Sequence, residues 1–321
     1  MRLRFIMLSL IALAMSGAFA QGSLSIATVG TGGVYYPYGG GLAELVNKYI
    51  DSYDAVAEVT GASVENVGLV FRGDSDMALA LADTVLAAYE GTGDFEGRQV
   101  ENLRALSSIY PNAVQIVTLA DSGISSLADL TGKRVSVGAP GSGTELSAET
   151  ILNANGITYD DIDERRLNFN ETANALRDGQ IDAGFWSVGP PTSSILDLAT
   201  TRNVVILSLS EEEISAAQEE EPVFAAYTLP AGTYPGQDED VTTISTPNVL
   251  IVNDEMDEEL AYQMTKAMYD HVDELIAIHP AANNTTVEFS LSATPIPFHP
   301  GAVRYYQETG QEVPQDLIAG E

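Results

Sequence analysis

The chain predicts an α/β architecture of two lobes, each a mostly parallel sheet flanked by helices, with a ligand cleft between them. Three observations carry this. Short apolar runs alternate with helix-like stretches, the order that parallel sheets require. A strand, glycine loop and helix recur at almost the same pitch in two places. The 321 residues also exceed the ~100–150 typical of a single domain.

Residues 1–20 come first. Arg2 and Arg4 precede an apolar stretch from Phe5 to Met15, which leads to Ala18-Phe19-Ala20. That order reads as a secretory signal peptide cleaved near Ala20/Gln21, which places the mature chain in the periplasm. The stretch is roughly half the ~20 residues a membrane-spanning helix needs. The absence of cysteine rules out a lipid-modified cysteine at the cleavage site, a disulfide framework and a cysteine nucleophile.

Strands are expected at 24–29, 77–81, 134–137, 183–186 and 204–207. Helices are expected at 39–49, 145–155, 171–177 and 259–275, and a last strand at 248–252. Val29-Gly30-Thr31-Gly32-Gly33 follows the first strand, as Val137-Gly138-Ala139-Pro140-Gly141-Ser142-Gly143-Thr144 follows a later one. Gly73-Asp74-Ser75-Asp76 is likewise matched by Gly179-Gln180-Ile181-Asp182. Val29 to Asp76 spans 47 residues and Val137 to Asp182 spans 45. This assigns 21–112 plus 246–321 to lobe 1 and 113–245, including the second crossover, to lobe 2.

Asp and Glu number 46 against 14 Lys and Arg, a formal charge of −32 that becomes −34 without Arg2 and Arg4. Such a surface excludes nucleic-acid binding, which needs a basic face. Runs such as Glu211-Glu212-Glu213 and Glu219-Glu220-Glu221 read as solvated faces, of a kind suited to a salt-rich medium.

The candidate site residues lie at strand ends. Gly32, Gly33, Val34 and Tyr35 enter a helix where free amides could meet an anion, or they form a plain strand–helix turn. Ser142, Gly143 and Thr144 have P-loop glycine spacing without its lysine. They leave an anion-receptive helix start, with Ser142 or Thr144 also able to serve as a helix cap. Trp186, Ser187, Gly189 and Thr192 end another strand, where open α/β sheets bind ligands, although a lone tryptophan also suits a core. Ser63 and Asn66 open a further helix. Asp83 could pair with a ligand ammonium or cap its helix. On this reading a carboxylate docks on the helix starts after Gly33 and Gly141, with Tyr35 and Trp186 walling its body. No Gly-x-Ser-x-Gly elbow is present, and His271, His279 and His299 lack metal-ligand spacing, so no enzyme, metal or cofactor is expected.

The stretches GTGGVYYPYGGGLAELVNKY, VTGASVENV, DSGISSLADLTGKRVSVGAPGSGTEL, LRDGQIDAGF, LPAGTYPGQDEDV and IPFHPGAVRYYQE resemble the TAXI-type solute receptors of TRAP transporters. The resemblance implies a type II-like periplasmic-binding-protein fold and TRAP membrane permease subunits as partners. It further implies a ligand such as glutamate, glutamine or a 2-oxoglutarate-like dicarboxylate, bound by the residues named above. Two positions depart from that family. Leu81-Ala82-Asp83 stands where Gln-Ser-Asp is frequent, and Trp186 stands where a smaller or phenolic residue is. A ligand sensor or a secreted enzyme on the same fold are the alternative functions.

Overall fold

Glycine loops followed by amphipathic runs build the same topological unit twice in the computed structural model, which describes residues 22–319. The expected signal peptide lies outside the described residues. The first unit is β1 (Gly22–Ala27), α1 (Tyr35–Tyr49), β2 (Tyr53–Glu58), α2 (Ser63–Arg72) and β3 (Met77–Leu81). After α3 (Ala82–Glu90) and β4 (Leu103–Leu119), the second runs β5 (Arg134–Ser136), α4 (Gly143–Ala154), β6 (Asp163–Arg165), α5 (Phe169–Arg177) and β7 (Ala183–Val188). Then come α6 (Ser193–Ala199), β8 (Val204–Ile206), α7 (Glu211–Glu220), β9 (Ala225–Leu229) and β10 (Val241–Asn253). The chain finishes with α8 (Glu258–Asp270), α9 (Val272–Ile278), α10 (Val287–Ala293) and α11 (Pro300–Glu308).

The strands follow the order β2-β1-β3-β10-β4-β7-β5-β6, with β8 on β4 and β9 on β10. Within each unit the pairings are parallel, in the orders β2-β1-β3 and β6-β5-β7. The repeated aspartates explain themselves in the same frame. Asp76 Oδ2 accepts the Ser25 amide of β1 at 2.7 Å, and Asp182 Oδ2 accepts the Arg134 amide of β5 at 2.9 Å. Ser25 and Arg134 each stand one residue before the position that begins the β1–β3 and β5–β7 pairing, at Ile26 and Val135. Asp182 adds a forked contact to the Arg134 guanidinium at 3.0 and 2.7 Å. Charge-assisted bonds of this kind outlast neutral ones, although partial exposure weakens them. Asp182→Ala is therefore expected to cost about 1–2 kcal/mol in urea denaturation, with no change in the m-value.

Two long strands, β4 and β10, join the units and run antiparallel to each other. The first part of β4 pairs with the last part of β10, and the end of β4 pairs with β7 and β8. Midway, Pro247 stands opposite Pro111, and the register shifts at once between Pro247 and Val249. Neither proline has an amide hydrogen to give to the ladder, so the paired strands are weakest there. All five residues of β3 are buried, as a strand covered on both faces should be.

Several expectations change at element ends. The helix at 259–275 is two helices, α8 and α9, broken at His271, whose φ of −125° is not helical. Helices α1, α4 and α5 begin two to four residues earlier than the apolar pattern suggests, because loop residues form their first turns. The strand at 204–207 pairs antiparallel to β4. No helix among the described residues is long and apolar enough to cross a membrane.

Candidate ligand-binding site

In both units the helices begin at the carboxyl ends of the parallel strands, so α1, α2, α4 and α5 all start toward one cleft. An inner chamber of about 20 Å³ is lined there by Val34 and Tyr35 (α1), Ala62 and Ser63 (α2), Gly143 and Thr144 (α4) and Phe169 (α5). Asn112, Ser187, Val188 and Leu81 complete it, with Val29. It opens outward, past Val29, Ala62, Thr144 and Phe169, into a vestibule of about 390 Å³. A chamber that size admits one water-sized polar group, and the vestibule admits the body of a small molecule.

The electrostatics come from backbone. The N-cap positions of α1, α2 and α3 are Val34, Ala62 and Leu81, none of which caps its helix with a side chain. The Val64 and Glu65 amides of α2 go to Gly141 O and the Thr84 amide of α3 goes to Asp83 Oδ1, so the partial positive charge at the chamber comes from the amides that open the helices, such as those of Tyr35 and Ser63. Neither the chamber nor the vestibule is lined by a lysine or arginine among the described residues. Ala62 holds φ 84° and ψ −149°, backbone that strongly favours glycine, and strain of this kind gathers at ligand sites.

Deeper in, Tyr35 donates its hydroxyl to Asn248 Oδ1, and Asn248 Nδ2 reaches Tyr110 O and Asn112 Oδ1, both at 2.8 Å. Asn112 Nδ2 continues to Ser187 O at 3.0 Å. This chain of amides ties α1 to the two joining strands and to β7. Burial, with the nearby Asp83 charge adding to it, pushes the Tyr35 phenol well up, so it stays a neutral donor.

The two halves touch across the cleft. Gly141 O accepts the Val64 and Glu65 amides at 3.2 and 3.4 Å, and Thr192 Oγ1 donates to Gly32 O at 3.1 Å. Ser147 Oγ donates to Asp83 Oδ2 at 2.7 Å. A Cβ on Gly143 would lie 2.7 Å from both Leu81 Cδ1 and Ser63 Oγ, so only glycine permits this approach. Gly138, at φ +111°, makes the turn that brings α4 to that point.

Of the residues the sequence singles out, Val34, Tyr35, Ser63, Gly143, Thr144 and Ser187 line the chamber. Gly32 and Ser142 line the vestibule, where Ser142 Oγ also caps α4 by accepting the Glu145 amide at 3.2 Å. Gly33 closes the turn on Gly30 O at 3.1 Å. Four expectations are corrected. Asn66 is a brace, giving Nδ2 to Thr28 O and Leu79 O at 2.7 Å each, with its Oδ1 taken by Thr60. Asp83 is buried in the contact with Ser147 and Thr84 and lines neither the chamber nor the vestibule. Gly189 packs on Tyr110 and Ala281. Trp186 is fully buried, with Nε1 on Ser194 Oγ at 3.1 Å, and its place as the wall is taken by Phe169, stacked on it at 6.2 Å.

Asn112, Asn248 and Phe169 were not singled out from the sequence. A usable signal existed for the first two: Pro111-Asn112 and Pro247-Asn248 are the same dipeptide, once in each joining strand.

Comparison with solved structures gives a Bordetella bronchiseptica RB50 protein at 17% identity, covering 94% of this chain and 86% of that one, with a TM-score of 0.53. A Listeria monocytogenes protein provisionally assigned to an L-cystine ABC transporter has 13% identity, 84% and 98% coverage and a TM-score of 0.51. The alkanesulfonate-binding protein SsuA from Xanthomonas axonopodis pv. citri, bound to MOPS, has 15% identity, 89% and 90% coverage and a TM-score of 0.47. The first two share the fold over most of both chains, an α/β fold of the periplasmic-binding-protein kind. The family whose model matches, over residues 26–310, is described as NMT1-like. That match overturns the resemblance to TAXI-type receptors of TRAP transporters, and TRAP permease subunits fall with it as partners. The chain belongs to the NMT1-like family.

Proposed function

We propose that the protein is an extracytoplasmic receptor that captures a small organic acid or amino acid and delivers it to a membrane importer. The observation that carries this reading is the chamber itself. Helix starts from both units converge on it, and no basic side chain among the described residues lines it. Each helix end contributes roughly 0.3–1 kcal/mol toward an anion, and up to ~2 when partly buried, so several together can hold one carboxylate. The contacts across the cleft supply the closed state that an importer would recognise. The Listeria neighbour is provisionally assigned to an ABC transporter, which favours an ABC-type importer as partner over other classes. Binding without turnover is the expected behaviour, since Ser142 is held as a helix cap and His279 Nε2 is engaged with Pro191 O at 3.1 Å.

A thermal-shift panel of amino acids, 2-oxo acids and other carboxylates on ligand-free protein tests the reading. A binder at 100 times its dissociation constant adds about 2.7 kcal/mol, a rise of a few degrees for a chain this size. A panel in which no carboxylate moves the melting temperature contradicts it.

A further inference from the structure

One hydroxyl in the chamber has nothing to bond. Ser187 lines the chamber, is 4% exposed, and its Oγ has no hydrogen-bond partner. Buried polar atoms are almost always paired, so an orphan facing a cavity marks where a ligand atom belongs. Ser187 stands opposite Val114 in the ladder, and Thr246 stands opposite Asn112. Residues paired in this way share one face of the sheet with Tyr110. On that face the Tyr110 hydroxyl and Thr246 Oγ1 are also buried without partners. Of these three hydroxyls only that of Ser187 belongs to a residue lining the chamber that the helix starts address.

The vestibule differs in character. Val29, Val59, Ala62, Ala139, Pro140 and Phe169 dominate it, and Glu171 is its one charged lining residue among those described. At its rim the carboxylates of Glu65 and Glu145 hold the Gly61 and Gly141 amides at 2.5 and 3.1 Å. The neighbouring Arg166 is already paired with Glu145 and Glu164. A second carboxylate on a solute would have no cation to meet there, and one acid to face.

We propose that the receptor takes a monocarboxylate with an apolar body and rejects dicarboxylates, with Ser187 reading the carboxylate in the chamber. This rests on the receptor reading above and narrows it. One carboxylate oxygen enters the chamber first, against the helix starts and the Ser187 hydroxyl, and the other stays at its mouth beside Ala62 and Thr144. The apolar body then fills the vestibule against Phe169.

Isothermal titration with two matched pairs tests it: 4-methyl-2-oxopentanoate against 2-oxoglutarate, and L-leucine against L-glutamate. The apolar member of at least one pair is expected to bind ten or more times as tightly as its dicarboxylate. Ser187→Ala is expected to weaken that binding at least tenfold and to leave the ligand-free melting temperature equal or higher, because an orphan buried hydroxyl is removed. A hydroxyl with a merely structural role would lower the melting temperature instead. A dicarboxylate that binds as tightly as its partner, or a Ser187→Ala protein that binds unchanged, overturns the inference and leaves the receptor reading standing. If all four probes fail and the wider carboxylate panel is also silent, both fall together.

Discussion

Gly143→Val is expected to abolish solute capture in a chain that still folds. The glycine is the first residue of α4, where valine is tolerated by the backbone, but its Cβ would meet Leu81 and Ser63 at 2.7 Å. Both of those residues belong to the first unit. The clash therefore opposes closure and spares each unit's own core. Holding the halves apart removes the amides of one side from the ligand, which should raise the dissociation constant at least 100-fold, equivalent to about 2.7 kcal/mol. Titration calorimetry gives the affinity, and small-angle scattering should show a larger radius of gyration that ligand no longer reduces. Unchanged affinity in Gly143→Val would mean that closure at this point has no part in binding.

Asp83 sets the second large effect. Its Oδ1 accepts the Thr84 amide at 2.6 Å and its Oδ2 accepts Ser147 Oγ from across the cleft at 2.7 Å. Burial outweighs those bonds and pushes its pKa from 3.8 up to about 6. Glu221 is raised to about 7, first by burial and then by the Asp83 charge. Between about pH 4 and pH 6 the folded chain thus keeps a proton that the unfolded chain has released. Stability from this group is complete below about pH 4 and is lost as pH rises through about 6. A shift of this size corresponds to roughly 3 kcal/mol. Asp83→Asn retains an acceptor for Thr84 and places a donor toward the Ser147 hydroxyl. It should match the wild type near pH 4 and exceed its stability by up to about 3 kcal/mol near pH 7.5. Denaturant titrations at four pH values decide this, and parallel curves for the two proteins would refute it.

The repeated architecture was legible because glycine loops and Gly-x-x-Asp strand entries leave an invariant trace. Asp76 and Asp182 prove to bind equivalent amides, so the trace has a cause in hydrogen bonding. The turns that lead into α1, α2 and α4 were legible for the same reason, although the first turns of α1 and α4 lie two to four residues before the expected helices. What faces the chamber from behind was not. Asn112 and Asn248 come from strands far apart in sequence and meet only through the β4–β10 register. Periodicity says nothing about such a pairing. Trp186 was misplaced because alternation along β7 does not tell which face receives Phe169, a residue supplied by the preceding helix. Asn66 and Asp83 look like ligand-binding groups in sequence, since a polar residue at a helix start has the same appearance whether it meets a solute or a neighbouring carbonyl.

A solute carboxylate is expected to sit on helix-start amides from both units at once. Backbone amide NMR on perdeuterated protein, titrated with the carboxylate that gives the largest thermal shift, tests it most directly. The largest shifts are expected to fall together on Tyr35, Ser63 and Thr144. Shifts confined to one unit, or centred away from these helix starts, would contradict it.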